Sequence, residues 1–459
     1  MRRLFMQANL ALACMLISLQ HAAAQQTFTV EQCIAYAMKE NPLLLSAAMD
    51  TLVNQIGMKR ISGEYIPTID LSASLQYYLL KRYTIVEGTS VVAPDNIGDY
   101  DPYALELGYR NAWFPSINAG QLLYDPSHHP RYEANAISTE LSRQQLAKLK
   151  VNLITAIYKS FATCLVLSVH ESFLKENLKR TDTLVRFTHE KFDQGVALKF
   201  EVNQMEVASN RIKNALVQVK GFYDESMEQL RVLMNYHTAD TLRLQSDFTT
   251  DLIIARSKAF LDSIPGSVAS DRIEYHMMQS KEQLSVANLS LAKKRSLPYL
   301  SMNGVLGFNP QASHIENMFQ QERWKPYSYL GVNLYFPFFQ GLDARRNAEQ
   351  AKIQISQAGY DLATFENQYA GEKNTAYLQL KNSLALMSLA DSTLKLSEEN
   401  VYMLKEALDY GLVTTLHVIV GENDLFLNQS QYFAQLLEVT LNNINARHVR
   451  GDFNRFAGF

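Results

Sequence analysis

Between Ile69 and Leu79 the chain alternates: Ile69, Leu71, Ala73, Leu75, Tyr77 and Leu79 take one set of positions, and Asp70, Ser72, Ser74, Gln76 and Tyr78 the other. Successive side chains of a strand point to opposite faces, so the pattern predicts a strand with one apolar and one polar face. A second stretch sets Leu300, Met302, Gly304, Leu306 and Phe308 against Ser301, Asn303 and Gly307. Segments 103–108 and 327–335 complete four expected strands. Elsewhere the period lengthens. Leu146, Leu149, Leu153, Ile157, Phe161 and Cys164 recur at steps of three and four, the apolar stripe of a helix packed against neighbours.

Breakers map the helices. All 12 prolines lie between positions 42 and 337, and residues 131–194 contain neither Pro nor Gly. As one helix that run would reach ~96 Å at 1.5 Å per residue, too long for an ordinary globular domain. Gly195 and Gly411 each end such a run, where a left-handed glycine turns the chain back. Lys199 and Thr415 then open return helices, so two helical hairpins are expected. Their turns, Gln194-Gly195-Val196-Ala197-Leu198 and Tyr410-Gly411-Leu412-Val413-Thr414, put small and apolar residues where polar ones are usual.

The hairpins belong to an internal repeat. Leu123-Tyr124-Asp125-Pro126 before Arg131 is echoed by Phe338-Phe339-Gln340-Gly341 before Arg346, and Gly195 by Gly411 at an offset of 216 (411 − 195). Tyr65-Ile66-Pro67 and Ser296-Leu297-Pro298 stand 231 apart (298 − 67), so the first copy carries about 15 extra residues, placed where a hairpin loop would lie. The repeat divides the chain into a first unit at 25–235, a connecting segment at 236–266 expected to pack around the helices as an equatorial belt, a second unit at 267–450 and a tail at 451–459. Each unit is expected to hold a helix, two strands and a helical hairpin.

Met1-Arg2-Arg3, the apolar run to Leu19 and Ala22-Ala23-Ala24 have the order of a secretory signal peptide spanning 1–24. Ala11-Leu12-Ala13 is a poor match to the residues that precede a lipid-modified cysteine, so Cys14 is not expected to carry an anchor. Removing Arg2 and Arg3 takes the formal charge from −3 to −5 (−3 − 2), which gives nucleic acid no handle. Cys33 and Cys164 sit in helical patterns and read as buried free thiols. Beyond the signal no run of 18 apolar residues follows, so a membrane role would fall to strands. Tyr77, Tyr78, Tyr103, Tyr109, Trp113, Trp324, Tyr327 and Tyr329, at strand ends, suit an interfacial girdle. Four strands cannot close a transmembrane barrel alone, so either several chains share one or the sheet is soluble. No GxSxG, HExxH, CxxC or phosphate-loop spacing occurs, and His128-His129, between prolines, lacks the spacing of a metal site and reads as loop. No catalysis, cofactor or metal is expected.

Val30-Glu31-Gln32-Cys33-Ile34-Ala35-Tyr36-Ala37 before Asn41-Pro42-Leu43-Leu44, then a strand after Pro67, an aromatic turn before a long helix and a glycine-turned hairpin, follow one another, and all are echoed in the second copy. In that order the chain resembles the TolC-like outer-membrane efflux proteins over nearly its whole mature length. The resemblance implies a mainly α fold with a small β part. Duplicated strand-helix units give long coiled-coil-like hairpins that form a periplasmic tunnel, and four strands per chain enter a shared twelve-stranded transmembrane β-barrel of a homotrimer. It implies a passive exit duct of a tripartite efflux or type I secretion system in the outer membrane. A periplasmic adaptor (membrane fusion) protein would join the hairpin tips to an inner-membrane RND or ABC pump. The alternative is a periplasmic or surface-attached coiled-coil scaffold without a channel.

Such tunnels are commonly narrowed by acidic rings six and nine residues after the second glycine. Those positions here are His417 and Val420, with Glu201 and Gln204 as their first-copy counterparts. This departure gives an expected constriction at Glu201, Gln204, His417 and Val420 whose charge follows pH, because an unperturbed histidine titrates near ~6.5.

Overall fold

The computed structural model describes residues 27–87, 102–237, 242–245 and 250–457; the expected signal peptide, Cys14 and Phe459 lie outside them. The helices are α1 (Val30–Glu40), α2 (Pro42–Ser62), α3 (His128–Asp193), α4 (Lys199–Met234), α5 (Thr250–Leu261), α6 (Ile273–Lys294), α7 (Asp343–Asp409) and α8 (Thr415–Arg450). The longer strands are β1 (Thr68–Tyr77), β2 (Arg82–Glu87), β3 (Pro102–Leu107), β4 (Asn111–Tyr124), β5 (Tyr299–Phe308) and β6 (Pro326–Tyr335). The chain divides into a sheet unit, 53–139 with 282–357, and a helical unit containing 140–281 and 358–459 with the segment before 53.

In the sheet unit β1, β4, β5 and β6 form one antiparallel sheet in that order. The alternation from Ile69 and from Leu300 is therefore a strand pattern, as expected. The return strand of the first copy is not segment 103–108, however. That segment is β3, which pairs with β2 in a separate hairpin within the extra residues of the first copy. The partner of β1 is β4, from Thr68 opposite Gly120 to Tyr77 opposite Asn111. Pro115 hid it, since proline inside a run argues against a central strand. Pro115 pairs across to Ala73, but on its other side it falls between two ladders, one beginning at Ser116–Gly307 and one at Ala112–Gln311. No donor is needed there. A bulge at Leu122/Tyr124 ends the strand before α3.

His128 and His129 open α3 rather than sitting in a loop. His128 Nε2 lies 3.0 Å from the Ile61 carbonyl, and Arg131 binds Asp125 and Glu64 at 2.7 Å each, fastening the aromatic turn to the end of α2.

The helical unit owes its order to the predicted stripe. Leu153, Ile157, Phe161 and Cys164 are buried with Cys33, Leu230, Met234 and Phe453, and Leu146 and Leu149 pack at the margin. Both thiols are free, and burial pushes each up to about 12, with Cys164 adding to the effect at Cys33. α3 does contain an 18-residue window apolar enough to cross a membrane, contrary to expectation; half of that window is buried, and core packing accounts for its composition. α1 begins with a reciprocal Thr29–Gln32 capping box and stops at Asn41, the residue before Pro42, which is biased out of the helical region. The second copy has a single helix, α6, in the place of α1 and α2. Within segment 236–266, Arg243 and Leu244 pair in parallel with Thr27 and Phe28, and α5 lies against α8.

Candidate functional site: two sheet faces and two hairpin turns

Register sorts the sheet into two unlike faces. One carries Ile69, Leu71, Ala73 and Leu75 beside Trp113, Pro115, Ile117 and Ala119. It continues through Leu306, Gly304, Met302 and Leu300 to Ser328, Leu330, Val332 and Leu334. Leu71 is 81% exposed and Leu330 74%, so an apolar surface four strands wide has no cover within the described chain. The opposite face is polar and bonded to itself: Ser72 to Ser116 at 2.9 Å, Asn118 to Ser72 at 2.9 Å, and Asn333 to Asn303 at 2.7 Å. The outer edges of β1 and β6 have no strand partner among the described residues.

The expected aromatic girdle is redistributed. Trp113 and Trp324 meet edge to face at 5.0 Å, with Phe308 and Phe319 against them and Trp324 Nε1 donating to the Met318 carbonyl, so they form a small core at one end of the sheet. Tyr327 and Tyr329 fall on the polar face, opposite Gly307 and Val305. Exposed rings at the other end include Tyr124, Tyr299, Tyr335, Phe336, Phe338 and Phe339, up to 87% exposed. The period-two pattern of Leu330, Val332 and Leu334 continues through Phe336 to Phe338, and the internal repeat marks Phe338 and Phe339 as the second aromatic turn.

In the helical unit the two turns are copies. Gly195 and Gly411 both have φ of +71°. Gly195 N donates to the Phe192 carbonyl and Val196 N to Lys191; Gly411 N donates to Leu408 and Leu412 N to Ala407. These paired bonds are the Schellman closure of a helix end. At the turns Gln194, Val196, Leu198, Tyr410, Leu412 and Thr414 are exposed, whereas Ala197 is buried and Val413 half-buried. Tyr410 is 80% exposed.

Glu201 and His417 hold equivalent third positions of their return helices, and each engages its own turn. Glu201 Oε2 accepts from Leu198 N at 3.0 Å, and His417 Nδ1 lies 2.9 Å from Thr414 Oγ1. Gln204 is half-buried on α4, one turn further on. His417 and Val420 line a groove of about 880 Å³ between α7 and α8, with Met403, Leu404, Asp424 and Leu427. Among the described residues no group of three or more His, Cys, Asp or Glu could hold a metal.

Sequence reasoning missed the buried polar ties between helices. Asn177, on α3, donates to the Gln429 side chain of α8, and Arg180 donates to Asn177. His448 Nδ1 lies 3.1 Å from Thr155 Oγ1, and burial, with Arg272 next, lowers it to about 4. His170 stacks on Phe433 at 4.5 Å and burial lowers it to about 4 as well. A polar residue on an otherwise apolar stripe was the one available signal.

No protein-family model matches the sequence, nor does any curated protein. Solved structures do. The chain is similar to the outer membrane protein VceC of Vibrio cholerae, at 13% identity with a TM-score of 0.67 over 92% of this chain and 96% of that one. It is similar to the CmeC outer membrane channel of Campylobacter jejuni, at 15% identity and 0.68 over 92% and 85%. It is also similar to the open state of the Neisseria gonorrhoeae MtrE outer membrane channel, at 12% and 0.68 over 92% and 88%. At such identities the likeness is one of fold, and the fold is that of the TolC-like channels.

Proposed function

We propose that this chain, with its TolC-like fold, is the outer-membrane channel subunit of an export system. The observation that carries the reading is the sheet: an exposed apolar face, a hydrogen-bonded polar face and two open edges in one four-stranded unit. In hydrocarbon an unpaired backbone group costs several kcal/mol, so open edges are tolerated only when another strand closes them. β1 and β6 run in opposite directions in the sheet order, so β6 of one copy can meet β1 of the next antiparallel, as all the strands within the sheet do. Three copies give twelve strands, with the apolar face to lipid and the asparagines, serines and tyrosines to the lumen. Phe336, Phe338 and Phe339 suit the headgroup boundary at the helix-side rim.

On this reading the helical unit stands in the periplasm and the trimer's helices enclose the duct. The turns at 194–198 and 410–414 receive a periplasmic adaptor, which couples the duct to an inner-membrane pump that supplies the energy. Glu201, Gln204, His417 and Val420 form the narrow end, where His417 takes the place of the acidic residue usual in such rings. No chemistry on cargo is required of the chain. The test is conductance of the purified protein in planar bilayers. Discrete, long-lived openings are expected, and a protein that never leaves the aqueous phase overturns the proposal.

A further inference from the structure

Where α5 meets the end of α8, four arginines converge on a feature that conduction does not use. Arg256 from α5, Arg447 and Arg450 from the last turns of α8, and Arg455 from the short helix Asn454–Ala457 line one cavity of about 510 Å³, together with Phe260 and Asp452. Two of them have a structural reason to be there. Cations at a helix C-terminus complement its dipole, and Asp452 accepts from Arg450 at 2.5 and 2.6 Å and lies 3.5 Å from Arg447. Arg450 also donates to Ser263 Oγ and stacks 4.2 Å over the Phe260 ring.

That account does not reach Arg256 or Arg455. Arg256 comes from the interior of a different helix and Arg455 stacks 4.7 Å over the Phe456 ring, and neither forms an ion pair with a carboxylate among the described residues. Glu31 is a further acid in the neighbourhood, acting on Tyr158 together with Arg447 and Arg455. Against the lining itself, four guanidiniums face one carboxylate, an excess of three positive charges (4 − 1). Guanidinium forks match the two oxygens of a carboxylate, and a cavity of this size accommodates a small peptide rather than a single ion.

Resting on the periplasmic placement of the helical unit proposed above, we infer that this pocket binds free carboxylates of cell-wall peptides. The pocket belongs to the helical unit and not to the apolar sheet, so the anionic polymer it meets is the wall rather than lipid headgroups. Phe260, with the Arg450 guanidinium stacked on its ring, forms one wall of the pocket.

The experiment uses the full mature chain in detergent and, as probe, a soluble disaccharide-peptide wall fragment with free carboxylates. Binding is expected, weakened tenfold or more both by Arg256→Gln with Arg455→Gln and by amidation of the probe's carboxylates. Both arginines lie outside the ion pairs of Asp452, so oligomer mass and conductance of the double variant should equal those of the parent. Equal affinity in the double variant, equal affinity for the amidated probe, or stronger binding to anionic phospholipid vesicles than to the fragment each overturns the inference. Channel openings without fragment binding defeat this inference alone, whereas absence of openings defeats the reading on which it rests.

Discussion

Gly195 and Gly411, 216 residues apart (411 − 195), close the same turn with the same φ of +71° and the same pair of backbone bonds. A Cβ would meet no heavy atom within 4 Å at either position, so the demand for glycine is conformational rather than steric. Left-handed backbone costs an L-residue roughly 1–2 kcal/mol. Gly195→Ala and Gly411→Ala should each lose about that much in thermal unfolding. Gly221→Ala, in the interior of α4 with open space around it, should instead gain up to about 1 kcal/mol. Equal behaviour of the three variants would contradict this account of the turns.

Substitutions on the two faces of β1 should behave oppositely. Leu71→Arg puts a charge on the apolar face, where a lipid-facing arginine at mid-membrane costs about 2–4 kcal/mol. Ser74→Arg puts the same charge on the polar face, in water. Membrane fractionation should show loss of the membrane-bound form for the first and retention for the second.

Gly307 lies beneath Tyr327, and a Cβ there would come within 3.0 Å of the tyrosine ring and 2.9 Å of Ser116 Cβ. Gly307→Ala should therefore destabilise the assembly by about 1–3 kcal/mol through overpacking. Adding Tyr327→Ala should recover part of the loss, since it removes one of the two crowding groups. Melting of the detergent-solubilised assembly measures both variants.

His170 and His448 set an acid limit. Burial lowers each from 6.5 to about 4; at His448 the Arg272, Lys159 and Lys148 charges lower it further while Glu274 opposes them. The folded chain takes up these protons later than the unfolded chain, so the stability due to the neutral rings is complete above about pH 6.5 and is lost as pH falls toward 4. Melting temperature followed by helical signal should drop across that window, and less steeply in His448→Gln. An unchanged slope in the variant would assign the drop to other groups.

The sequence revealed most where a period or a breaker acts locally. The strict alternation from Ile69 to Tyr77 marked β1, the proline-free run marked α3, and the matching glycines marked both turns. What it hid depends on partners far along the chain. β4 was obscured by Pro115, whose missing donor is harmless only because it falls between two ladders. Trp113 and Trp324, 211 residues apart (324 − 113), looked like interfacial residues until the fold set them against each other. The arginine cavity draws on α5, α8 and the residues beyond, and no local spacing brings these together.

The central claim is that open edges at β1 and β6 are closed by identical copies, and the mass of the protein extracted from membranes in mild detergent tests it most directly. The account predicts a single species of three chains that keeps its mass on dilution. A stable monomer, soluble without detergent, would contradict it.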